Sequence, residues 1–186
     1  MIKMKQVDLS IFNNSWYKPG RCILTRMIWF IINVIFLLNP LNPSSKLKSF
    51  FLRLFGARIG NKVFLKPGIN VKYPWNVEIG DYSWIGERVW IDSIANIKIG
   101  NNVCISQDSY LCTGNHDWAD RSFGLIVEPI VIEGGAWIGA RVLVLPGVTI
   151  ASHSVITAGS VINKSTEPYM IYSGNPAIKI KKRDII

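Results

Sequence analysis

After Gly56 an apolar residue recurs every six positions, and that period leaves the chain few ways to fold. Ile59, Leu65 and Val71 form one triplet; Ile79, Ile85 and Ile91 the next; then Ile99, Ile105 and Leu111. After an interruption come Ile132, Ile138 and Val144, then Ile150, Ile156 and Ile162. A period of six fits neither an amphipathic helix nor one long strand. It fits a parallel β-helix with three short strands per coil. Each triplet fills one coil of 18 residues, and the first two coils carry two extra residues each and step by 20.

The residue after the marker is often glycine, as at Gly60, Gly80, Gly86, Gly100 and Gly139. Glycine is expected there because it tolerates the backbone conformation of a tight corner. The fourth residue after the marker is small or β-branched at most corners, including Ser83, Val103, Ala136 and Ser154, which suits an inward position beside the next marker. The outward positions carry large aromatics: Trp84, Trp90, Tyr110 and Trp137. One outward column reads Trp84, Cys104, Trp137, Val155. A solvated face would be polar, so this column predicts a partner surface, and a three-faced solenoid meets its own copies most simply about a threefold axis.

The 186 residues divide into an N-terminal apolar helical segment (1–56), a β-helix of about five coils (57–167) with an insertion at 114–129, and a basic tail (168–186). The segment "MIWFIINVIFLL" at 27–38 is too short for a bilayer span of about 20 residues. It predicts a helix packed on protein, with a membrane-interface position as the alternative. The net charge is +9, with "IKIKKRDII" closing the chain. Such charge marks solvated surface, a polyanionic ligand or an anionic membrane. No helix-turn-helix, zinc-finger or RNP-like pattern accompanies it, so nucleic acid is not expected. Three irregularly spaced cysteines predict no disulfide framework and a reducing compartment, the cytoplasm. With only two histidines beside them, no metal site is expected.

Two stretches, "GGAWIGARVLVLPGVTIASHSVITAGSVINK" and "YSGNPAIKIKK", resemble the left-handed β-helix sugar O-acetyltransferases that use acetyl-CoA. "FFLRLFGARIGNKVFLKPGINVKYPWNVEIGDYSWIGERVWID" and "ISQDSYLCTGNHDW" narrow the resemblance to the acetyltransferases of colanic acid and other exopolysaccharide biosynthesis. The resemblance covers residues 56–180. It implies a left-handed, mainly β solenoid and a homotrimer with a site in each cleft between protomers. It also implies a sugar or lipid-linked oligosaccharide acceptor, presented at the inner face of the membrane.

Acetyl transfer to a hydroxyl needs a base for the acceptor proton, and an imidazole suits that task near neutral pH. The resemblance implies that His116, in "CTGNHDW", is that base. Asn115, Asp117 or a backbone carbonyl would then hold its far ring nitrogen. Trp137 matches a family position near the thioester, with Gly139 and Ala140 beside it. Ala158 and Gly159 would leave room for the pantetheine arm, and Lys164, Lys181, Lys182 and Arg183 would meet the CoA phosphates. Asp92 and Ser93, one coil below Cys112, are candidate acceptor contacts. His153 is expected to be a surface turn residue. The competing functions are an O-acetyltransferase of an antibiotic or other hydroxylated acceptor, and a silent trimeric scaffold. The zinc-dependent branch of the fold needs three histidines and is set aside.

Overall fold

Each hexapeptide forms a strand of two or three residues followed by a corner, and the strands stack into three parallel sheets, called faces A, B and C. The computed structural model describes residues 6–186, so the first five residues of the N-terminal segment lie outside it. The stacking registers follow the marker spacing: Ile59 pairs with Ile79, Ile79 with Ile99, Ile99 with Ile132 across the insertion, and Ile132 with Ile150. All fifteen markers are buried. Burying such a side chain stabilises the fold by about 1.5–3 kcal/mol relative to leaving it exposed. The solenoid is a left-handed parallel β-helix of five complete coils.

The corners correct the reading of the glycines. The left-handed backbone sits three residues after the marker, at Lys62, Tyr82, Arg88, Asn102, Asp108, Arg141 and His153, all with φ between +52° and +59°. The glycines directly after the marker lie outside that region and are required by close approach instead. A Cβ on Gly86 would sit 2.6 Å from the Gln107 nitrogen, and one on Gly139 would sit 2.6 Å from the Ala158 nitrogen. Successive coils touch at these points, and a side chain would force them apart.

The outward columns give the three faces different characters. Face A reads Arg58, Glu78, Lys98, Val131, Thr149. Face B reads Phe64, Trp84, Cys104, Trp137, Val155. Face C reads Asn70, Trp90, Tyr110, Leu143, Val161. Face A is thus largely polar, whereas B and C are largely apolar.

The N-terminal segment packs on this solenoid. Helix α1 (Ile23–Ile32) continues into a wider helical turn at Asn33–Leu37. Trp29, Asn33 and Leu37 recur every four residues and are buried. The Trp29 indole donates to the Val71 carbonyl at 2.8 Å, and the Asn33 amide donates to Asn70 Oδ1 at 2.8 Å, so α1 lies on the first coil of face C. Helix α2 (Ser45–Leu54) is capped by Ser44, whose hydroxyl accepts from Leu47 N. It packs on the first strands of faces A and B. No described helix is long and apolar enough to cross a membrane.

The basic tail forms a hairpin on the solenoid. Met170–Gly174 adds to face B in parallel beside Val155 and Ile156, and Ala177–Lys182 folds back antiparallel. Face B thereby extends into a sixth coil, because Ile171 and Tyr172 continue its alternation.

Candidate active site

The insertion leaves the third coil at the corner between faces C and A and forms a hairpin, Gly114–His116 paired antiparallel with Leu125–Val127. His116 sits opposite Leu125 and is half-buried. Its Nδ1 lies 2.9 Å from the Phe123 carbonyl oxygen. A carbonyl can only accept, so Nδ1 carries a proton, and in the neutral ring the lone pair is on Nε2. Phe123 has φ +54°, a conformation uncommon for an aromatic residue, and its ring also stacks on the imidazole at 4.4 Å. The Phe12 ring, tilted at 55°, approaches the imidazole at 5.7 Å.

Asn115 and Asp117 do other work. Asn115 Oδ1 accepts from the His116 backbone N–H at 2.8 Å. Asp117 Oδ1 accepts from Ala119 N at 2.9 Å and caps the loop turn. Of the three expected holders of the ring, the structure has the backbone carbonyl, that of Phe123, and neither Asn115 nor Asp117 takes that place.

Asp92 and Ser93 lie at the same corner, with Asp92 paired to Cys112. Ser93 is fully buried. Its hydroxyl donates to the Tyr73 carbonyl at 2.9 Å and accepts from the Tyr73 N–H at 3.0 Å. It faces the core and offers nothing to a sugar, which corrects the acceptor reading. Ser93→Ala is expected to destabilise the fold by about 1–3 kcal/mol, by leaving the Tyr73 N–H unpaired and its carbonyl with the Asn76 N–H alone, read as a lowered urea midpoint.

The Asp92 carboxylate is buried as well. Its Oδ2 accepts from the Tyr110 hydroxyl at 3.0 Å, and Oδ1 lies 3.2 Å from Lys72 Nζ. Burial first, then Cys112 and the Asp92 charge, raise the Tyr110 pKa, which keeps the phenol protonated as a donor. Asp92 is therefore a strut across face C, with little surface left for an acceptor.

The N-terminal arm adds walls that the sequence reading did not place. The Trp75 indole donates to the Pro19 carbonyl at 2.7 Å, and the Tyr17 hydroxyl donates to the Ile94 carbonyl at 2.9 Å. Burial, with lesser contributions from Tyr73 and Asp92, pushes the Tyr17 pKa up to about 12. Farther along, Asp8 N donates to the Arg121 carbonyl and its carboxylate lies 3.3 Å from the Arg121 guanidinium. The arm thus runs from the first coils to the hairpin and brings Phe12 to His116. Its residues show no periodicity or motif that would have announced this.

A second group gathers elsewhere, at the corner between faces B and C of the fourth and fifth coils. The Trp137 indole is half-exposed and donates to Ser106 Oγ at 3.0 Å. Gly139 is buried against the Ala158 backbone, and Gly159 N donates to the Ala140 carbonyl at 2.8 Å. Ala158 and Gly159 are exposed, and a Cβ on Gly159 would meet nothing within 4 Å. Lys164, Lys181 and Lys182 are exposed but are not brought to this corner: Lys164 follows the last face C strand at the C–A corner, and Lys181 and Lys182 pair with Ile171 and Met170 at the A–B end of face B. Arg183 is not a free cation: its guanidinium donates to the Gly135 and His153 carbonyls, both at 3.0 Å, and ties down the end of the hairpin. That corrects its assignment as a phosphate partner. His153 is half-buried and stacks on Tyr169 at 4.6 Å instead of facing solvent.

His116 and the Trp137 group thus lie at different corners of one protomer, with face C between them. Among the described residues no cluster of three or more His, Cys, Asp or Glu side chains is arranged to hold a metal ion.

Comparison with known proteins follows the same lines. Residues 129–164 match the family model described as bacterial transferase hexapeptide (six repeats). The Escherichia coli (strain K12) protein named as the colanic acid biosynthesis acetyltransferase WcaF is 39% identical, over 95% of this chain and 97% of its own. The galactoside O-acetyltransferase of the same organism is 31% identical, over 77% of this chain and 73% of its own. Among solved structures, the hexapeptide-repeat acetyltransferase VCA0836 of Vibrio cholerae O1 biovar eltor, complexed with acetyl coenzyme A, superposes with a TM-score of 0.79. It is 26% identical, over 87% of this chain and 88% of its own.

Proposed function

The chain belongs to the hexapeptide-repeat acetyltransferases, and from that membership we propose that it moves the acetyl group of acetyl-CoA onto a sugar hydroxyl in exopolysaccharide assembly. The observation that carries the reading is the His116 ring, held through Nδ1 by the Phe123 carbonyl with Nε2 left as a base. In the proposed step Nε2 takes the acceptor hydroxyl proton as the oxygen attacks the thioester carbonyl. The tetrahedral intermediate collapses with loss of the CoA thiolate, which then takes the proton from the imidazolium. Transfer is direct. Cys112 is the nearest thiol in sequence, and its Sγ is spent on the Gly114 carbonyl.

The donor is proposed to lie along the B–C corner, its pantetheine beside Ala158 and Gly159 and its thioester near Trp137. With face C between that corner and His116, one protomer does not close the site. A homotrimer does, if His116 of one protomer meets the Trp137 group of the next, and the two apolar faces support that assembly while polar face A stays in water. The relatives support the acceptor class: one is named for colanic acid biosynthesis, another as acting on a galactoside. A sugar or lipid-linked oligosaccharide at the cytoplasmic side fits both that class and a cytoplasmic donor.

Thiol release from acetyl-CoA, measured with a panel of free and lipid-linked sugars, tests the function. Acceptor-dependent release is expected, and none with any sugar would favour a silent scaffold. The exposed cations of the last hairpin, proposed to meet the CoA phosphates beyond the pantetheine, make a separate prediction. Lys181→Gln with Lys182→Gln is expected to weaken acetyl-CoA binding by about tenfold or less at low salt and by less at high salt, read by titration calorimetry.

A further inference from the structure

Helix α1 is apolar on the side that faces away from the protein. At 100° per residue, Ile23, Leu24, Met27, Ile28, Phe30 and Ile31 fall in one arc of about 160°. Each is between 43% and 67% exposed. No polar residue falls in the arc. Thr25, Arg26 and Asn33 lie on the inner side instead, the inverse of an ordinary surface helix. The apolar surface continues into a groove of about 530 Å³ between α1 and face C, with Trp90 in its wall beside Arg26 and Lys72.

Charge narrows what can cover this surface. Between Asp8 and Glu78 the chain has ten lysines and arginines and no aspartate or glutamate, which accounts for the whole net charge of +9. Lys18, Arg21 and Lys46 are exposed near the two ends of the apolar helical segment. Lys48 is buried and donates to the Asn42 carbonyl, so it takes no part. Arg26, at the edge of the arc, has a buried Nε without a hydrogen-bond partner among the described residues.

We propose that this outward flank of α1 is a docking surface for an anionic lipid bilayer, lying in the interface without crossing it. The apolar arc would enter the acyl boundary while the surrounding cations meet lipid phosphates. A second copy of the chain is the competing occupant, and charge disfavours it. Two copies docked through their α1 flanks would set this cation block against itself. The proposal does not depend on the transfer reaction proposed for the protein.

The test is sedimentation of the full chain with vesicles. Binding to phosphatidylglycerol–phosphatidylcholine vesicles is expected to exceed binding to phosphatidylcholine alone by about tenfold or more, and to fall as salt is raised. Met27→Glu with Ile31→Glu is expected to reduce binding by at least about tenfold, with unchanged assembly mass and thermal melt. Lys18→Gln with Arg21→Gln, which leaves the helix alone, is expected to reduce the preference for anionic vesicles even if the first variant folds poorly. Absence of wild-type binding to the anionic vesicles overturns the proposal, as does equal binding to both vesicle types. Loss of assembly mass in the Met27/Ile31 variant would assign the arc to a subunit contact and overturn it as well.

Discussion

His116→Ala is expected to lower turnover by about 10²–10⁴-fold, with assembly mass and acetyl-CoA affinity retained. The size follows from what the ring supplies. An acceptor hydroxyl must lose its proton as it attacks, and Nε2 is the ring nitrogen left with a lone pair once Nδ1–H is committed to Phe123. His116→Asn separates the two roles of the ring. Its side-chain amide can occupy the place of Nδ1 and donate to the same carbonyl, yet it has no basic nitrogen. Asparagine is therefore expected to keep the hairpin and lose turnover as deeply as alanine. Steady-state thiol release at saturating acceptor, together with acetyl-CoA titration of each variant, measures both. Near-normal turnover in either variant would remove His116 from the mechanism and leave it a residue of the hairpin.

Parts of this arrangement were legible in the sequence and parts were not, for physical reasons. The solenoid was legible because its inward residues stack coil upon coil, so Ile85, Ile105, Ile138 and Ile156 must repeat in type and spacing. The outward column Trp84, Cys104, Trp137, Val155 followed from the same register. Glycine identity was legible but its cause was not: Gly86 and Gly139 answer to the next coil, which the local sequence does not show. Residue type also gave no direction at the corners. Ser93 looks like a sugar contact and turns inward to Tyr73, and Arg183 looks like a phosphate partner and closes on two carbonyls. A main-chain oxygen was among the candidate orienters of His116, but which residue supplies it was not legible, because every residue carries one. Phe12 left no trace because it reaches the site through a contact between the arm and the insertion, at Asp8 and Arg121.

Chains carrying His116→Ala and chains carrying Ala158→Trp, each inactive alone, are expected to recover about a quarter of wild-type turnover when assembled together in equal amounts. Ala158 is exposed at the corner proposed for pantetheine, and an indole there would occupy the space that the alanine leaves open. If each site takes its base from one protomer and its donor wall from the next, a random mixture gives half of the sites an intact His116. Half of those also receive an intact Ala158 wall. If one protomer held both parts, every site would carry one defect whatever its neighbours, and mixing would recover nothing. The separation of the two corners by face C favours the first outcome, because a hairpin leaving the C–A corner must reach past its own protomer to meet a donor at a B–C corner. Co-expression of the two variants with different affinity tags, tandem purification of mixed assemblies and thiol-release assay measures the recovery, which rises to about a third once the inactive homotrimers are removed, because every mixed trimer then holds one intact site. Recovery at background level in assemblies shown to contain both chains would place the whole site within one protomer and leave the apolar columns of faces B and C a role in assembly alone.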